Sequence, residues 1–170
     1  MKRSTNLVTF AGKPVTLRGK LVTAGSPAKN FIAVGNDLKL VSLSDFKGKV
    51  RIISSVPSLD TGVCASQTIR FNQEAAGLKN TQVITISCDL PFAQKRFCAS
   101  QEIDKIVTLS DHKDVDFGVK YGFLIEELRL LARGVIIIDK DDIVSYVELV
   151  KEISEHPDYE KALEVARSLS

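Results

Sequence analysis

The sequence predicts an α/β fold with a mixed central sheet and flanking helices, and two patterns carry this prediction. Short β-branched runs alternate with helical periodicity along the middle of the chain, in the order strand, helix, strand, helix, strand. Two further strands joined by a polar turn precede a last helix, so antiparallel as well as parallel neighbours are expected. The chain has 170 residues, of which 44 % are hydrophobic, and this fits one domain over residues 1–170.

The individual elements follow from turn residues and apolar runs. Residues 8–10 and 15–17 predict an N-terminal β-hairpin, spanning about 7–18, around a turn that holds Gly12 and Pro14. A second hairpin is predicted from 31–34 and 39–43, because Gly35, Asn36 and Asp37 separate the two runs. The remaining predictions are strands at 50–55, 82–87, 106–109, 134–139 and 143–150, and helices at 63–78, 91–99, 115–121 and 157–165.

The composition argues against several classes of function. The formal net charge is only +2, whereas a nucleic-acid-binding domain would show a basic block or stripe. Aromatic residues make up 6 %, too few for a platform that stacks single strands. The apolar run 135–138 cannot span a bilayer, and the polar residues near Met1 do not resemble a secretory signal. We therefore expect a cytoplasmic protein without nucleic-acid or membrane partners.

The three cysteines restrict the chemistry. Cys64, Cys88 and Cys98 form no CxxC pair, and only two histidines, His112 and His156, could join them. A structural zinc site needs four ligands in short, paired spacings, so no metal site is predicted. The odd count also disagrees with a secreted disulfide scaffold. Reactive thiols and buried, unreactive thiols remain as the alternatives.

Cys64 is predicted to lie in the first turn of the helix at 63–78. If Thr61 is the N-cap, its hydroxyl can reach the backbone N–H of Cys64, and the helix dipole favours an anion there. Cysteine thiols at helix N-termini have pKa values lowered from ~8.5 toward ~3.5–7.5. From its position alone, Cys64 is equally well interpreted as a buried structural cysteine.

A helical wheel separates the two sides of the same helix. The inward side is predicted to carry Cys64 with Phe71, Ala75 and Leu78. The solvent-facing side is predicted to hold Ser66, Gln67, Arg70, Gln73 and Glu74. The thiol is thus expected to face a partly dry pocket.

Arg133 immediately precedes the apolar run at 134–138, which is predicted to be a central strand. A guanidinium at the start of a buried strand requires an anion or several hydrogen-bond acceptors nearby. The residues themselves leave two kinds of partner open, a thiolate and a carboxylate such as Glu126 or Glu127.

Pro57, Thr61 and Cys64 together form the pattern P-x-x-x-T-x-x-C, which resembles the peroxidatic motif of the peroxiredoxins. The fuller run 57–64, followed by Arg70-Phe71-Asn72, is similar to the thiol peroxidase (Tpx) branch of that family, of the atypical 2-Cys type. Further matching stretches are 89–94, 96–98, 109–111, 131–133 and 157–160. The resemblance covers the whole chain, including the N-terminal hairpin.

This resemblance implies a thioredoxin-like fold with an extra N-terminal hairpin, assembled as a homodimer. Cys64 would attack hydrogen peroxide or an organic hydroperoxide and become a sulfenic acid, which Cys98 would capture in an intramolecular disulfide. Thioredoxin is the implied reductant, and no metal, haem or flavin cofactor is implied. The resemblance also favours the Cys64 thiolate as the partner of Arg133. Thr61 would orient thiolate and peroxide, and Pro57 would shield the thiolate from water.

Other functions remain to be weighed beside this one. A redox sensor is the alternative, since a Cys64–Cys98 disulfide would also change the affinity for a partner protein. A Cys–His hydrolase is not favoured, because His112 and His156 do not stand at nucleophile–base spacing and are expected at the surface or in capping positions.

Two features depart from the family pattern. The segment 123–130 is shorter than its counterpart and lacks the glycines of the family, which affects the expected loop and dimer contact. Cys88 stands at the end of a predicted strand, where the family has no fixed cysteine. We expect it to be buried and unreactive, with an accessory redox role as the alternative.

Overall fold

The computed structural model describes residues 1–170 and contains two sheets and four α-helices. The strands are β1 (Arg3–Phe10), β2 (Lys13–Arg18), β3 (Ile32–Gly35), β4 (Leu40–Ser42), β5 (Val50–Ser55), β6 (Thr81–Ser87), β7 (Val107–Ser110), β8 (Leu124–Ile125), β9 (Leu130–Leu131), β10 (Gly134–Ile138) and β11 (Val144–Leu149). The helices are α1 (Gly62–Ala75), α2 (Pro91–Ser100), α3 (Asp116–Tyr121) and α4 (Tyr159–Leu169), with a 3₁₀ turn at Leu43–Phe46. None of the helices combines the length and apolar character needed to cross a lipid bilayer.

The larger sheet is mixed and has seven strands in the order β11-β10-β5-β6-β7-β3-β4. Its centre, β5-β6-β7, is parallel, whereas β10 and β3 run antiparallel to the neighbours on either side. Every residue of β5 and β10 is buried, as expected for strands that are covered on both faces. The prediction of an α/β fold with a mixed sheet and flanking helices is confirmed.

Side chains alternate along the central strands and enter two apolar layers. Ile52 and Ile137 pack on one face, together with residues of α1 and α4. Ile53 and Ile136 pack on the other face, in the layer that contains α3. Antiparallel pairing of the two strands places the end of β5 beside the start of β10, with Gly134 paired to Ser55.

The predicted boundaries agree closely with several elements, and those of β5 agree at both ends. The predicted N-terminal hairpin is present and longer than expected; Ala11 and Gly12 form its turn with φ of 50° and 75°. The last helix begins at Tyr159, so the predicted start at Pro157 is wrong. The carboxylate of Asp158 accepts from the N–H of Lys161 and caps the helix there.

The smaller sheet, of order β1-β2-β8-β9, does not follow from the sequence pattern. The short segment 123–130, together with Leu131, supplies two strands of two residues each, and Leu17 of β2 pairs with Ile125 of β8. Strands this short show no alternation that a pattern can reveal. β8 and β9 therefore continue the sheet of the N-terminal hairpin, and β9 ends two residues before Arg133.

Candidate active site

Cys64 lies in the first turn of α1, just after the loop that follows β5. Its side chain is fully buried and packs with Val56 and Leu59, and Phe97 of α2 rests against the same small cluster. Burial alone would also suit a structural cysteine. The polar partner of its sulfur therefore decides between the two interpretations.

That polar partner is the guanidinium of Arg133. Nη2 of Arg133 donates to Sγ of Cys64 at 3.1 Å. Nη1 donates to Oε1 of Gln67 at 2.9 Å, and Nε donates to the carbonyl of Ile153 at 2.7 Å. Only 2 % of Arg133 is exposed, so its positive charge stabilises negative charge on the sulfur in a site shielded from water. The alternative carboxylates lie elsewhere, with Glu126 bound to Arg3 and Glu127 to the N–H of Thr16.

The main chain around Arg133 is also fixed, by a backbone hydrogen bond and by close packing at Gly134. The carbonyl of Arg133 accepts from the N–H of Val150 at 2.9 Å. A Cβ at Gly134 would lie 2.1 Å from the carbonyl oxygen of Glu148, so only glycine lets β10 and β11 approach this closely. Arg133 is thereby fixed at the edge where β5 ends and the chain leads to Cys64.

Gln67 is a site residue that sequence reasoning missed. The helical wheel places it on the solvent-facing side, and this prediction is wrong. Its side chain is fully buried, accepts from Arg133 and donates through Nε2 to Oγ of Ser54 at 2.8 Å. The wheel assigns polar groups to water, whereas here a buried guanidinium satisfies the amide. The signal that reveals it is the spacing, because a residue three positions after Cys64 lies beside it on a helix.

Thr61 does not cap α1 in the way the sequence predicts. Thr61 is the N-cap residue, but its Oγ1 donates to the carbonyl of Ser58 at 3.1 Å and accepts nothing from Cys64. The cause is a tight turn before the helix, in which the N–H of Thr61 bonds the same carbonyl at 3.3 Å. The N–H groups of residues 62–64 consequently have no partner in the chain, and the Thr61 oxygen stays free to accept.

A cleft of about 210 Å³ opens beside this turn. Pro57, Thr61 and Arg133 all line it, so three predicted site residues converge where Arg133 contacts Cys64. Four apolar side chains also line the cleft, namely Phe10, Val63, Leu130 and Ile153, together with Ser58, Gly62 and Ser154. The cleft can therefore hold a small molecule beside a guanidinium and the unpartnered N–H groups of the first helical turn.

Asp89 connects the loops that precede α1 and α2. Its carboxylate accepts from Oγ of Ser58 at 2.7 Å and from the N–H of Leu59 at 2.8 Å. It also accepts from Oγ of Ser87 at the end of β6, at 2.7 Å. Leu59 packs on Cys64, and Asp89 lies just before α2, the helix that carries Cys98. Asp89 therefore connects the surroundings of the Cys64 thiol with the start of α2.

Cys98, the remaining predicted site residue, does not line the cleft. It belongs to α2, and its Sγ lies 3.5 Å from Oγ1 of Thr108 on β7. Cys64 and Cys98 are both free thiols, and Phe97 is the residue of α2 that packs toward Cys64. A bond between the two sulfurs therefore requires Cys98 to leave Thr108 and turn toward Cys64.

Cys88 and the two histidines stay outside the site. Burial, together with the carboxylates of Asp111 and Asp89, raises the pKa of the Cys88 thiol to about 12, although the charge of Arg129 opposes this shift. The side chain is only partly buried, contrary to the prediction, but it carries little thiolate, which is the reactive form. His112 contacts Ser110 and His156 contacts Tyr159.

A thioredoxin-like mixed sheet with a buried cysteine under an arginine, in the first turn of a helix, defines the class of redoxin proteins. A family profile described as Redoxin matches residues 23–163. The chain is 58 % identical over 156 residues to the thiol peroxidase of Oceanobacillus iheyensis, which covers 92 % of this chain and 95 % of that protein. It is 54 % identical over 162 residues to the thiol peroxidase of Bacillus subtilis, which covers 95 % of this chain and 97 % of that protein.

Solved structures agree with these relatives. The crystal structure of a peroxiredoxin-like protein from Aquifex aeolicus matches with a TM-score of 0.91 at 42 % identity, over 97 % of this chain and 98 % of that chain. The thiol peroxidase from Chromobacterium violaceum, with a TM-score of 0.84 at 19 % identity over 95 % of each chain, shares the fold. The chain belongs to the redoxin family and, within it, to the thiol peroxidase (Tpx) branch of the peroxiredoxins.

Proposed function

We propose that this protein is a thiol-dependent peroxidase that reduces hydrogen peroxide and small alkyl hydroperoxides through Cys64. The observation that carries the proposal is the 3.1 Å contact between Nη2 of Arg133 and Sγ of Cys64, beside a cleft that Pro57 and Thr61 line. Relatives named thiol peroxidase support the same activity over nearly the whole chain, and they do not favour the alternative of a redox sensor.

The first step is attack of the Cys64 thiolate on one peroxide oxygen. A sulfur–oxygen bond forms, the O–O bond breaks, and the second oxygen leaves and takes up a proton to give water or an alcohol. Negative charge moves from sulfur to the leaving oxygen, so donors aimed at both atoms stabilise the transition state. Arg133 and the N–H groups of residues 62–64 are such donors, while the free lone pairs of Thr61 accept the proton of the bound peroxide.

The second step consumes the sulfenic acid on Cys64. The sulfur of Cys98 attacks it, an intramolecular disulfide forms, and water leaves. A thioredoxin-type dithiol then reduces this disulfide and restores both thiols. Because Cys98 contacts Thr108 in the reduced protein, the C-terminal end of α2 must loosen during each cycle, as is common for active-site segments of low local stability.

Multiple turnover is the measurement that tests this function. Peroxide consumption is followed by NADPH oxidation in the presence of thioredoxin and thioredoxin reductase. We expect many peroxide molecules to be reduced by each protein molecule, and no activity from Cys64→Ser. A single oxidation event without turnover would support the redox sensor instead.

The connectivity of the disulfide is a separate prediction. Peroxide-treated protein should contain Cys64 joined to Cys98 within one chain and should leave Cys88 as a free thiol, because burial keeps Cys88 protonated. Peptide mapping under non-reducing conditions gives the connectivity, with Cys88→Ala as a control that should behave like the parent. Recovery of Cys64 joined to Cys88, or of inter-chain bonds alone, would contradict the role of Cys98.

Gln67 provides a test of the support that Arg133 receives. We expect Gln67→Leu to lower kcat/KM for hydrogen peroxide about tenfold, because Nη1 of Arg133 loses its acceptor and the guanidinium loses its fixed orientation. Gln67→Glu is the matched control, since its carboxylate still accepts from Arg133, and its loss should be smaller. Steady-state kinetics with circular dichroism measure both. Unchanged activity of Gln67→Leu would mean that Arg133 needs no support from α1.

The proposal also includes a homodimer, which the family resemblance implies, and a cytoplasmic location. Sedimentation velocity of the reduced and oxidised protein at micromolar concentration tests the assembly. A monomer in both redox states would remove the homodimer from the proposal without affecting the chemistry at Cys64.

A further inference from the structure

We propose that Thr108, backed by Asn36, is a positioning residue that holds Cys98 on α2 and thereby sets the rate of disulfide formation. This inference rests on the proposed role of Cys98 as the cysteine that captures the Cys64 sulfenic acid. It concerns two residues outside the peroxide cleft, on β7 and in the turn between β3 and β4.

The three side chains form a short chain of contacts. Oγ1 of Thr108 lies 3.5 Å from Sγ of Cys98 and donates to Oδ1 of Asn36 at 3.1 Å. A hydroxyl carries one proton, and the amide oxygen of Asn36 takes it. The Thr108 oxygen therefore offers a lone pair to the Cys98 thiol, whose proton points toward β7. Thr108 is 4 % exposed, so water does not replace this contact readily.

The position of Phe97 shows what must change for Cys98 to react. Neighbouring residues on an α-helix point about 100° apart, and here Phe97 faces the Cys64 cluster while Cys98 faces Thr108. Cys98 reaches Cys64 only if the last turn of α2 unwinds or rotates and Phe97 leaves its place. The contact with Thr108 is the polar side-chain contact of Cys98 that this movement breaks.

Holding Cys98 has a chemical consequence because two reactions compete for the sulfenic acid on Cys64. Capture by Cys98 releases water and gives the disulfide. Attack on a second peroxide molecule transfers one oxygen to sulfur, releases water or alcohol from the peroxide, and gives a sulfinic acid that a thiol does not reduce. A tighter hold on Cys98 slows capture and increases the sulfinic fraction, so Thr108 sets the partition between the two products.

The test uses Thr108→Val, which keeps the shape of the side chain and removes the hydroxyl. Protein is mixed with one equivalent of hydrogen peroxide, quenched in acid at increasing times, and assayed by mass spectrometry for the Cys64–Cys98 peptide. We expect disulfide formation about fivefold faster than in the parent, the factor that one hydrogen bond of ordinary net strength contributes. With excess peroxide, the sulfinic fraction should fall by a similar factor. Thr108→Ser, which restores the hydroxyl, should return both values to those of the parent.

The reduction potential of the Cys64–Cys98 disulfide is a second measurement. A general loss of packing would not lower this potential together with faster disulfide formation. Thr108→Val weakens only the reduced arrangement, so the potential of the disulfide should fall by about 20 mV, which is fivefold converted at 29.6 mV per tenfold. Asn36→Ala, at a partly exposed position, keeps the test open if Thr108→Val does not fold, and its rate should lie between those of the parent and Thr108→Val.

The outcomes separate this inference from the proposed function. If the bridge joins Cys64 to Cys98 but Thr108→Val and Asn36→Ala form it at the parent rate or more slowly, the role of Thr108 is overturned and the peroxidase function stands. If the parent forms no Cys64–Cys98 bridge, the proposed resolving role of Cys98 fails first, and the inference fails with it.

Discussion

Arg133→Met should lower kcat/KM for hydrogen peroxide about a hundredfold or more, the range seen when one donor to a transition-state oxyanion is removed. Methionine fills much of the same volume, so the change removes mainly charge and hydrogen bonds. The guanidinium donates to the Cys64 sulfur at 3.1 Å, and no other charged side chain forms a hydrogen bond with that sulfur. Arg133→Met should therefore weaken the stabilisation of both the thiolate and the transition state.

These two effects can be separated by comparing two reactions of Cys64. Alkylation requires the thiolate, and it should be slower in Arg133→Met because a nearby positive charge favours the thiolate. The reaction with peroxide should fall by a larger factor than alkylation, because Arg133 also stabilises charge on the leaving oxygen.

Arg70→Met is the matched control for Arg133→Met. Arg70 lies on the same helix as Cys64, but its side chain is 40 % exposed and binds the surface carboxylates of Glu74 and Glu160. Its removal should change kcat/KM by less than about threefold, in line with the small worth of exposed ion pairs. The opposite result would be a large loss of kcat/KM in Arg70→Met, with unchanged rates of alkylation and peroxide reduction in Arg133→Met. In that case the electrostatic partner of Cys64 would have to be reassigned.

Thr61→Val should lower kcat/KM about a hundredfold, whereas Thr61→Ser should stay within about threefold of the parent. Valine keeps the shape of threonine and loses the hydroxyl, which lines the cleft and has lone pairs free to orient a peroxide. The structure weakens the rival explanation by capping, because the hydroxyl makes no cap hydrogen bond to α1. The loss of its bond to Ser58 should cost about 1 kcal/mol of unfolding free energy or less.

Urea unfolding and competition kinetics, carried out on the same preparations of Thr61→Val and Thr61→Ser, separate stability from rate. A Thr61→Val protein that is destabilised by about 2 kcal/mol, yet reduces peroxide at the parent rate per folded molecule, would leave a structural role as the sufficient explanation. Thr61→Ser with a large loss of activity would equally contradict the argument, since the methyl group would then matter more than the hydroxyl.

Local signals in the sequence predict a large part of this protein. Alternation and turn residues locate the strands and helices of the mixed sheet, because backbone preferences and apolar periodicity act within a few residues. The helical periodicity that begins at residue 63 likewise places Cys64 in the first turn of a helix. These features need no knowledge of distant contacts.

The partners of each side chain depend on the tertiary structure. Arg133 stands 69 positions after Cys64 and reaches it only because β10 pairs with β5, and the sequence alone leaves Glu126 and Glu127 open as partners. The helical pattern places the polar residue Gln67 on the solvent-facing side of α1. Only the tertiary structure shows that a buried guanidinium lies beside it.

The direction of the Thr61 hydroxyl, the two-residue strands β8 and β9, and the contact of Cys98 with Thr108 share the same origin. Each is decided by which groups the folded chain brings within hydrogen-bond distance. That choice depends on packing among residues far apart in the sequence, and local propensity carries no information about it. The sequence by itself therefore determines where the reactive thiol stands, and only the tertiary structure decides what surrounds it.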